Sequence, residues 1–229
     1  MLSPFRKLLK RVHPEGIPWP ATVLYNLVSS TNIFQRHYRL AAKDIGNYCS
    51  AGSLLDIGTG PGWLLMRIHN QLPDLRVTGL DVSSSMVAKA RENIEKAGLS
   101  GVIEMQEGRA DALPFDDNTF DVVVSTGSIH HWKQPEAGLN EVRRVLKPGG
   151  YALIYDIVSD TPKAVLQSAK QEFGRFRIFM LWIHTFEEPF YSTQDFTDLP
   201  KATLFREGQT WFVGVMCCLT LKNTKEEDQ

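Results

Sequence analysis

The chain has 229 residues, 43% of them hydrophobic and 22% charged, with a formal net charge of −1. That length carries one α/β domain with a sizeable core, and the balanced charge gives no global attraction to nucleic acid or to an anionic membrane surface. Cys49, Cys217 and Cys218 show no C-x-x-C spacing; neighbours on a strand face opposite sides, so a zinc shared by the last two is not expected, and free thiols in a cytoplasmic protein are.

From the N-terminus, Phe5 to Val12 mixes basic and apolar residues without the continuous apolar core of a signal peptide. It reads as a short amphipathic helix, a cap over a site or a solvated helix in preference to a membrane anchor, because one short basic helix holds a bilayer weakly. Ile17-Pro18-Trp19-Pro20 is extended. Two helices are expected next, over Ala21 to Ser30 and Ile33 to Tyr48; in the second, Ile33, His37, Leu40, Ala41 and Ile45 keep helical spacing. Residues 1–50 thus read as a helical cap, 51–221 as the main domain and 222–229 as a polar tail. No run reaches the roughly 20 apolar residues of a membrane span.

Strand and helix then alternate. Strands are expected over 53–58, 76–81, 102–106, 121–125 and 151–158, and helices from Trp63 to about Leu72, over 83–97 with Gly98 as its stop, and over 136–146, stopped by Lys147-Pro148-Gly149-Gly150. This alternation argues for a parallel sheet covered on both faces. In the tail, 164–173 and 176–185 read as helices, and Ala202 to Arg206 and Trp211 to Leu221 as β-rich runs turning at Glu207-Gly208-Gln209.

The chemistry centres on Asp56-Ile57-Gly58-Thr59-Gly60-Pro61-Gly62-Trp63. Glycines between a strand and a helix start let backbone approach a ligand, and the free N–H groups of the helix start face it. The dinucleotide fingerprint G-x-G-x-x-G would need glycine where Trp63 stands, which argues against an NAD-dependent dehydrogenase. Asp81 ends the second strand where nucleoside-binding α/β folds place a ribose-binding carboxylate, and Ser83 can cap the following helix in its stead.

The G-x-G-x-G turn resembles the first motif of the class I S-adenosylmethionine (SAM) methyltransferases. Gly79 to Met86 resembles their second motif, Arg109 to Phe115 their adenine-side loop, and Ala137 to Gly150 their late, architectural motif. The likeness points to the branch that includes ubiquinone/menaquinone methyltransferases. It implies a Rossmann-like, seven-stranded α/β sheet, mostly parallel with one antiparallel C-terminal strand. It also implies SAM as cofactor, held by Asp56, Gly58, Thr59, Gly60, Gly62, Asp81, Val82, Met86, Ala110, Asp111 and Thr126. Arg109 occupies the place where the family usually has Asp, so adenine recognition would pass to the Ala110 backbone, with Asp111 as substitute.

The implied activity is methyl transfer to a small-molecule acceptor with no metal. His130, and after it His131, are candidate bases for an acidic nucleophile such as an enol or phenol. The acceptor pocket is expected between the N-terminal helices and the aromatic-rich stretch from Phe173 to Tyr191. Action on RNA or protein, and a non-catalytic SAM-binding role, are the rival readings. A basic face for RNA is hinted at only by the N-terminal segment. The oligomeric state is left open.

Overall fold

Strands covered by helices on both faces need apolar residues at nearly every position, and this chain supplies them. The structure, a computed structural model, describes residues 25, 26, 29–174 and 191–224. In chain order it contains α1 (Asn32–Ile45), β1 (Gly52–Ile57), α2 (Trp63–Gln71), β2 (Leu75–Asp81), α3 (Ser84–Lys96), β3 (Ile103–Glu107) and β4 (Phe120–Thr126). A 3-10 turn (Ile129–His131) leads to α4 (Pro135–Val145), β5 (Leu146–Asp156), α5 (Lys163–Phe173) and α6 (Thr193–Asp198). A second 3-10 turn (Leu199–Ala202) precedes β6 (Gln209–Val213) and β7 (Met216–Lys222).

The seven strands form one sheet in the order β3-β2-β1-β4-β5-β7-β6. β1 pairs in parallel with β2 on one side and β4 on the other, while β7 runs antiparallel to both β5 and β6. Successive residues feed opposite layers. Leu55, Val123, Ile154 and Cys217 join the cluster containing Leu139 and Val142 of α4; Leu54, Val124, Leu153 and Cys218 join the cluster containing α1, α2 and α3. Each fully buried aliphatic side chain contributes about 1.5–3 kcal/mol, so neither face can be left uncovered. Cys217 and Cys218 do face opposite sides of the sheet, as neighbours on a strand must.

The structure departs from the sequence reading in five places. α1, expected within the cap of residues 1–50, packs into the core of the main domain: Ala41, Ala42 and Ile45 lie with Leu64 and Ile68, and Tyr155 Oη of β5 donates to Asp44 Oδ2 at 2.9 Å. β5 begins at Leu146, directly after α4, and the Pro-Gly-Gly segment is a bulge within it, the register with β4 jumping between Phe120 and Val122. Buried Asn223 stabilises that bulge, accepting from Gly149 N–H and donating to Leu146 O, so the domain runs past residue 221 into the expected tail. Residues 202–206 are not a strand. The hairpin turns at Gly214-Val215, with Gly214 at φ 64°, where the long apolar run from 211 to 221 is broken. The expected N-terminal segments up to residue 20, most of the 21–30 helix and the 176–185 helix lie outside the described residues.

Parallel strands deliver their carboxyl ends to one edge, and β1 and β4 diverge there into connections on opposite sides of the sheet. Gly58, Asp81, Thr126 and Asp156, the last residues of β2, β4 and β5 and the residue after β1, therefore assemble at a single crevice.

Candidate active site

The glycine turn is built for close approach. Gly58 and Gly60 sit at φ 73° and 54°, where side chains are strained, and Gly58 and Thr59 N–H both donate to Leu80 O. A Cβ on Gly58 would lie 2.3 Å from Ser128 Oγ. That serine links the β1 and β4 ends: its hydroxyl donates to Ile57 O at 3.1 Å, pairs with Ser125 Oγ at 2.8 Å and accepts Trp132 Nε1–H at 3.1 Å. Gly62, expected to touch cofactor, has another task. It caps α2 at φ 80°, and a Cβ there would lie 3.3 Å from Ala90 Cβ, so its bareness lets α2 pack against α3.

Three buried carboxylates surround the turn. Asp81 accepts Gly60 N–H on Oδ2 at 2.8 Å and Ser83 N–H on Oδ1 at 2.9 Å. Burial pushes its pKa up, and those N–H bonds partly offset the shift. Helix α3 is capped by Ser83, whose Oγ accepts Met86 N–H, so Asp81 is not consumed as a cap. Asp56 lies behind the turn, its Oδ2 accepting Thr59 Oγ1–H at 2.7 Å and its buried Oδ1 meeting no hydrogen-bond partner among the described residues. Asp156 ends β5. All three raise the pKa of Tyr25, whose phenol is pushed up to about 12, first by burial. Among the described residues, none of the three is ion-paired to a lysine or arginine.

Burial raises the Asp56 pKa to about 7, the nearby Asp81 adding to it and the Thr59 bond opposing it. The folded state thus holds this proton more tightly than the unfolded chain. Its contribution is complete below about pH 4 and is lost as the pH rises through 7, a swing on the order of 4 kcal/mol. Asp56→Asn is therefore expected to melt above the wild type at pH 8 and alongside it at pH 5; a constant offset in thermal melts at the two pH values would contradict this.

A cavity of about 1140 Å³, its open mouth included, lies over these groups. Gly58, Gly60, Asp81, Val82, Met86, Ala110, Asp111, His130 and His131 line it, as do Tyr25, Trp132 and Asp156. Asp56, Thr59 and Gly62 stand behind this wall, and Thr126 lines an adjoining chamber. At the expected adenine end, Arg109 grips Asp111 with two bonds of 2.9 and 2.8 Å, which holds the Asp111 carboxyl below its usual range. Arg109 thus fixes the Asp111 carboxylate in place.

His130 is buried, 4% exposed, and clamped by Asp156. Asp156 Oδ2 lies 2.8 Å from His130 Nδ1 and accepts the His130 backbone N–H at 3.2 Å, while Oδ1 accepts Ile157 N–H at 2.8 Å. His131 lies tilted beside it, the ring centroids 4.0 Å apart and the planes at 45°. Sequence reasoning names the histidines and misses Asp156 and Ser128. A lone Asp at the end of an apolar run gives no signal beyond its position at a strand's carboxyl end. Among the described residues no cluster of His, Cys, Asp or Glu could hold a metal ion, and no helix is long and apolar enough to cross a membrane.

Sheet order, glycine turn and carboxylate together define a Rossmann-like methyltransferase domain. Residues 55–154 match the family described as a methyltransferase domain. The chain is 30% identical over 205 residues, 89% of its length and 77% of the relative's, to the ubiquinone/menaquinone biosynthesis C-methyltransferase UbiE of Geobacter sulfurreducens. Over 108 residues, 47% of this chain and 30% of the other, it is 42% identical to 2-methyl-6-phytyl-1,4-hydroquinone methyltransferase 2, chloroplastic, of Oryza sativa subsp. japonica. A solved structure from Methanococcus maripaludis, assigned to the SAM-dependent methyltransferases, shares the fold at TM-score 0.70 and 23% identity, covering 91% of this chain and 94% of that one. The chain belongs to the class I SAM-dependent methyltransferases, enzymes that take their methyl group from SAM. The site fits that cofactor: SAM is a cation, and two buried carboxylates in the cavity wall, Asp81 and Asp156, have no lysine or arginine partner among the described residues, with Asp81 beside the glycine cradle.

Proposed function

We propose that this methyltransferase acts on carbon, methylating a hydroquinone or similar phenolic small molecule. The observation that carries the reading is the Asp156–His130 pair in the cavity wall. With Nδ1–H donated to Asp156, His130 presents Nε2 as a proton acceptor, and the carboxylate stabilises the imidazolium that forms. His130 would take the phenolic proton, and the charge then spread into the ring makes an ortho carbon nucleophilic. Once that carbon has taken the methyl group and the neutral thioether S-adenosylhomocysteine has left, the carbon loses its hydrogen as a proton and the oxygen regains one from His130, which restores the aromatic ring. Bound SAM supplies a methyl group already activated on a sulfonium. Asp81 would hold the ribose hydroxyls, Ala110 and Asp111 the adenine side, and Met86 an apolar flank. Closure by Tyr25, Phe34 and Trp132 keeps water from the reacting groups. The two relatives named above support the acceptor class, since both are named for quinone or hydroquinone chemistry.

A cytoplasmic location belongs to the same proposal, supported by three cysteines that are all free. The test is incubation with SAM carrying a labelled methyl group and a panel of prenylated hydroquinones, catechols and amines. The expected result is a hydroquinone product with a new carbon–carbon bond by NMR. Label found only on oxygen or nitrogen, or only on protein or RNA, would overturn the reading.

A further inference from the structure

Beyond Gly127 the cavity continues into a second chamber of about 430 Å³, its open mouth included, the two meeting at Gly127, Ile157 and Met216. Its walls are Ile33, Phe34 and Tyr38 of α1, with Val215 and Met216 at the β6–β7 turn. His37 also borders it but is already engaged. Its Nδ1 lies 2.6 Å from Ile33 O, its ring stacks on Phe173 at 5.9 Å, and its Nε2 side abuts Gly214. Burial lowers its pKa and keeps it neutral.

Thr126 lines this chamber, and its Oγ1 is fully buried with no hydrogen-bond partner among the described residues. A buried hydroxyl left without a partner is destabilising, and valine has the same shape without that burden. The position is four residues before His130, at the end of the strand that forms the crevice.

We propose that this chamber is the acceptor subsite, that it takes an apolar ring bearing two oxygens, and that Thr126 Oγ1 hydrogen-bonds the oxygen His130 does not deprotonate. The inference rests on the hydroquinone reading and deepens it. It reassigns Thr126 from cofactor to acceptor and makes it the residue that distinguishes a diol from a monophenol. The apolar walls accommodate the ring substituents, and Val215 sets how bulky these can be.

The test uses the full chain with SAM and two probes, a prenylated 1,4-hydroquinone and the prenylated monophenol lacking the second hydroxyl. Wild type is expected to prefer the diol in kcat/KM by about 10- to 100-fold, since a site built to bond a hydroxyl discriminates against its absence. In Thr126→Val the preference falls to about threefold or less, almost all of it lost on the diol, while the melting temperature stays level or rises and SAM affinity holds. Thr126→Ser keeps the preference. Val215→Trp, which fills the chamber, raises KM for both probes at least about tenfold with SAM affinity unchanged. An unchanged diol preference in folded Thr126→Val, or an unchanged acceptor KM in Val215→Trp, overturns the proposal while leaving the hydroquinone reading standing. Turnover of neither probe by wild type, with another acceptor class methylated, overturns both.

Discussion

Asp81→Ala is expected to weaken SAM binding about 100-fold, with little change in fold. Each carboxylate oxygen already accepts one backbone N–H, from Gly60 and Ser83, and each keeps a lone pair for a hydroxyl donor. Hydrogen bonds to a charged group contribute about 1.5–3 kcal/mol apiece when their loss leaves the partner unsatisfied. Losing two bonds to one ligand, discounted for water that enters in their place, comes to about 3 kcal/mol, or roughly two decades in affinity. The backbone adds to the effect, because Gly60 N–H loses the acceptor that fixes the glycine turn. Asp81→Asn tests the electrostatic share: the amide keeps one acceptor but turns a donor toward one of the two N–H groups. It should lie near the alanine variant rather than near wild type. Calorimetric titration with SAM is the measurement; an affinity within threefold of wild type for either variant would remove Asp81 from the cofactor site.

How legible such a site is depends on whether its residues are held by local or by long-range geometry. The G-x-G-x-G turn and Asp81 could be read because their task is local: a turn that needs positive φ, and a carboxylate at a strand end. Strand alternation likewise fixes the layers of the sheet. The shortfalls have a common cause. Gly62 was counted with the cradle, but its bareness answers to Ala90, 28 positions along on another helix. Gly58 makes room for Ser128, a contact across two strands that no local pattern announces. Asp156 closes an apolar strand and gains its meaning only when β5 lies next to β4 and brings it under His130. Thr126 lies at the expected strand edge and lines the adjoining chamber, since strand position fixes which edge a side chain reaches but not which of two adjoining cavities it lines. The hairpin was misread because Gly214 interrupts a run whose composition stays β-prone on both sides.

The Arg109–Asp111 pair is a further case of compensation across the sequence. Where the family usually offers a carboxylate, this chain offers a guanidinium, which can only donate. Its two bonds to Asp111 neutralise it and hold that carboxylate at the cavity wall, with Gln134 Nε2 adding a third at 3.3 Å. Arg109 thus orients Asp111, two positions along the loop from the place where the family usually has its carboxylate.

His130→Ala is expected to lower kcat for a hydroquinone acceptor by about 10²- to 10⁴-fold, the range a positioned general base contributes, while SAM affinity stays within a few-fold of wild type. Asp156→Asn should cost a comparable factor without removing the imidazole. Asparagine can accept from Nδ1 or from the His130 backbone N–H with its one oxygen, but its amide group donates where Asp156 only accepts. The imidazole is then drawn toward the tautomer with its proton on Nε2, which cannot take the acceptor's proton. Both variants should regain activity as pH rises, because an acceptor that ionises in solution needs no base, and a more acidic phenol should be rescued more fully. His131→Ala is the comparison that decides the assignment: the Asp156 contacts go to its neighbour, so its loss should cost much less. Equal losses at His130 and His131, or an Asp156→Asn variant that is folded and fully active, would mean that the acceptor reaches its nucleophilic form without this pair. Methyl transfer would then rest on positioning alone, which can supply up to roughly 7–11 kcal/mol of barrier lowering when the acceptor is already ionised.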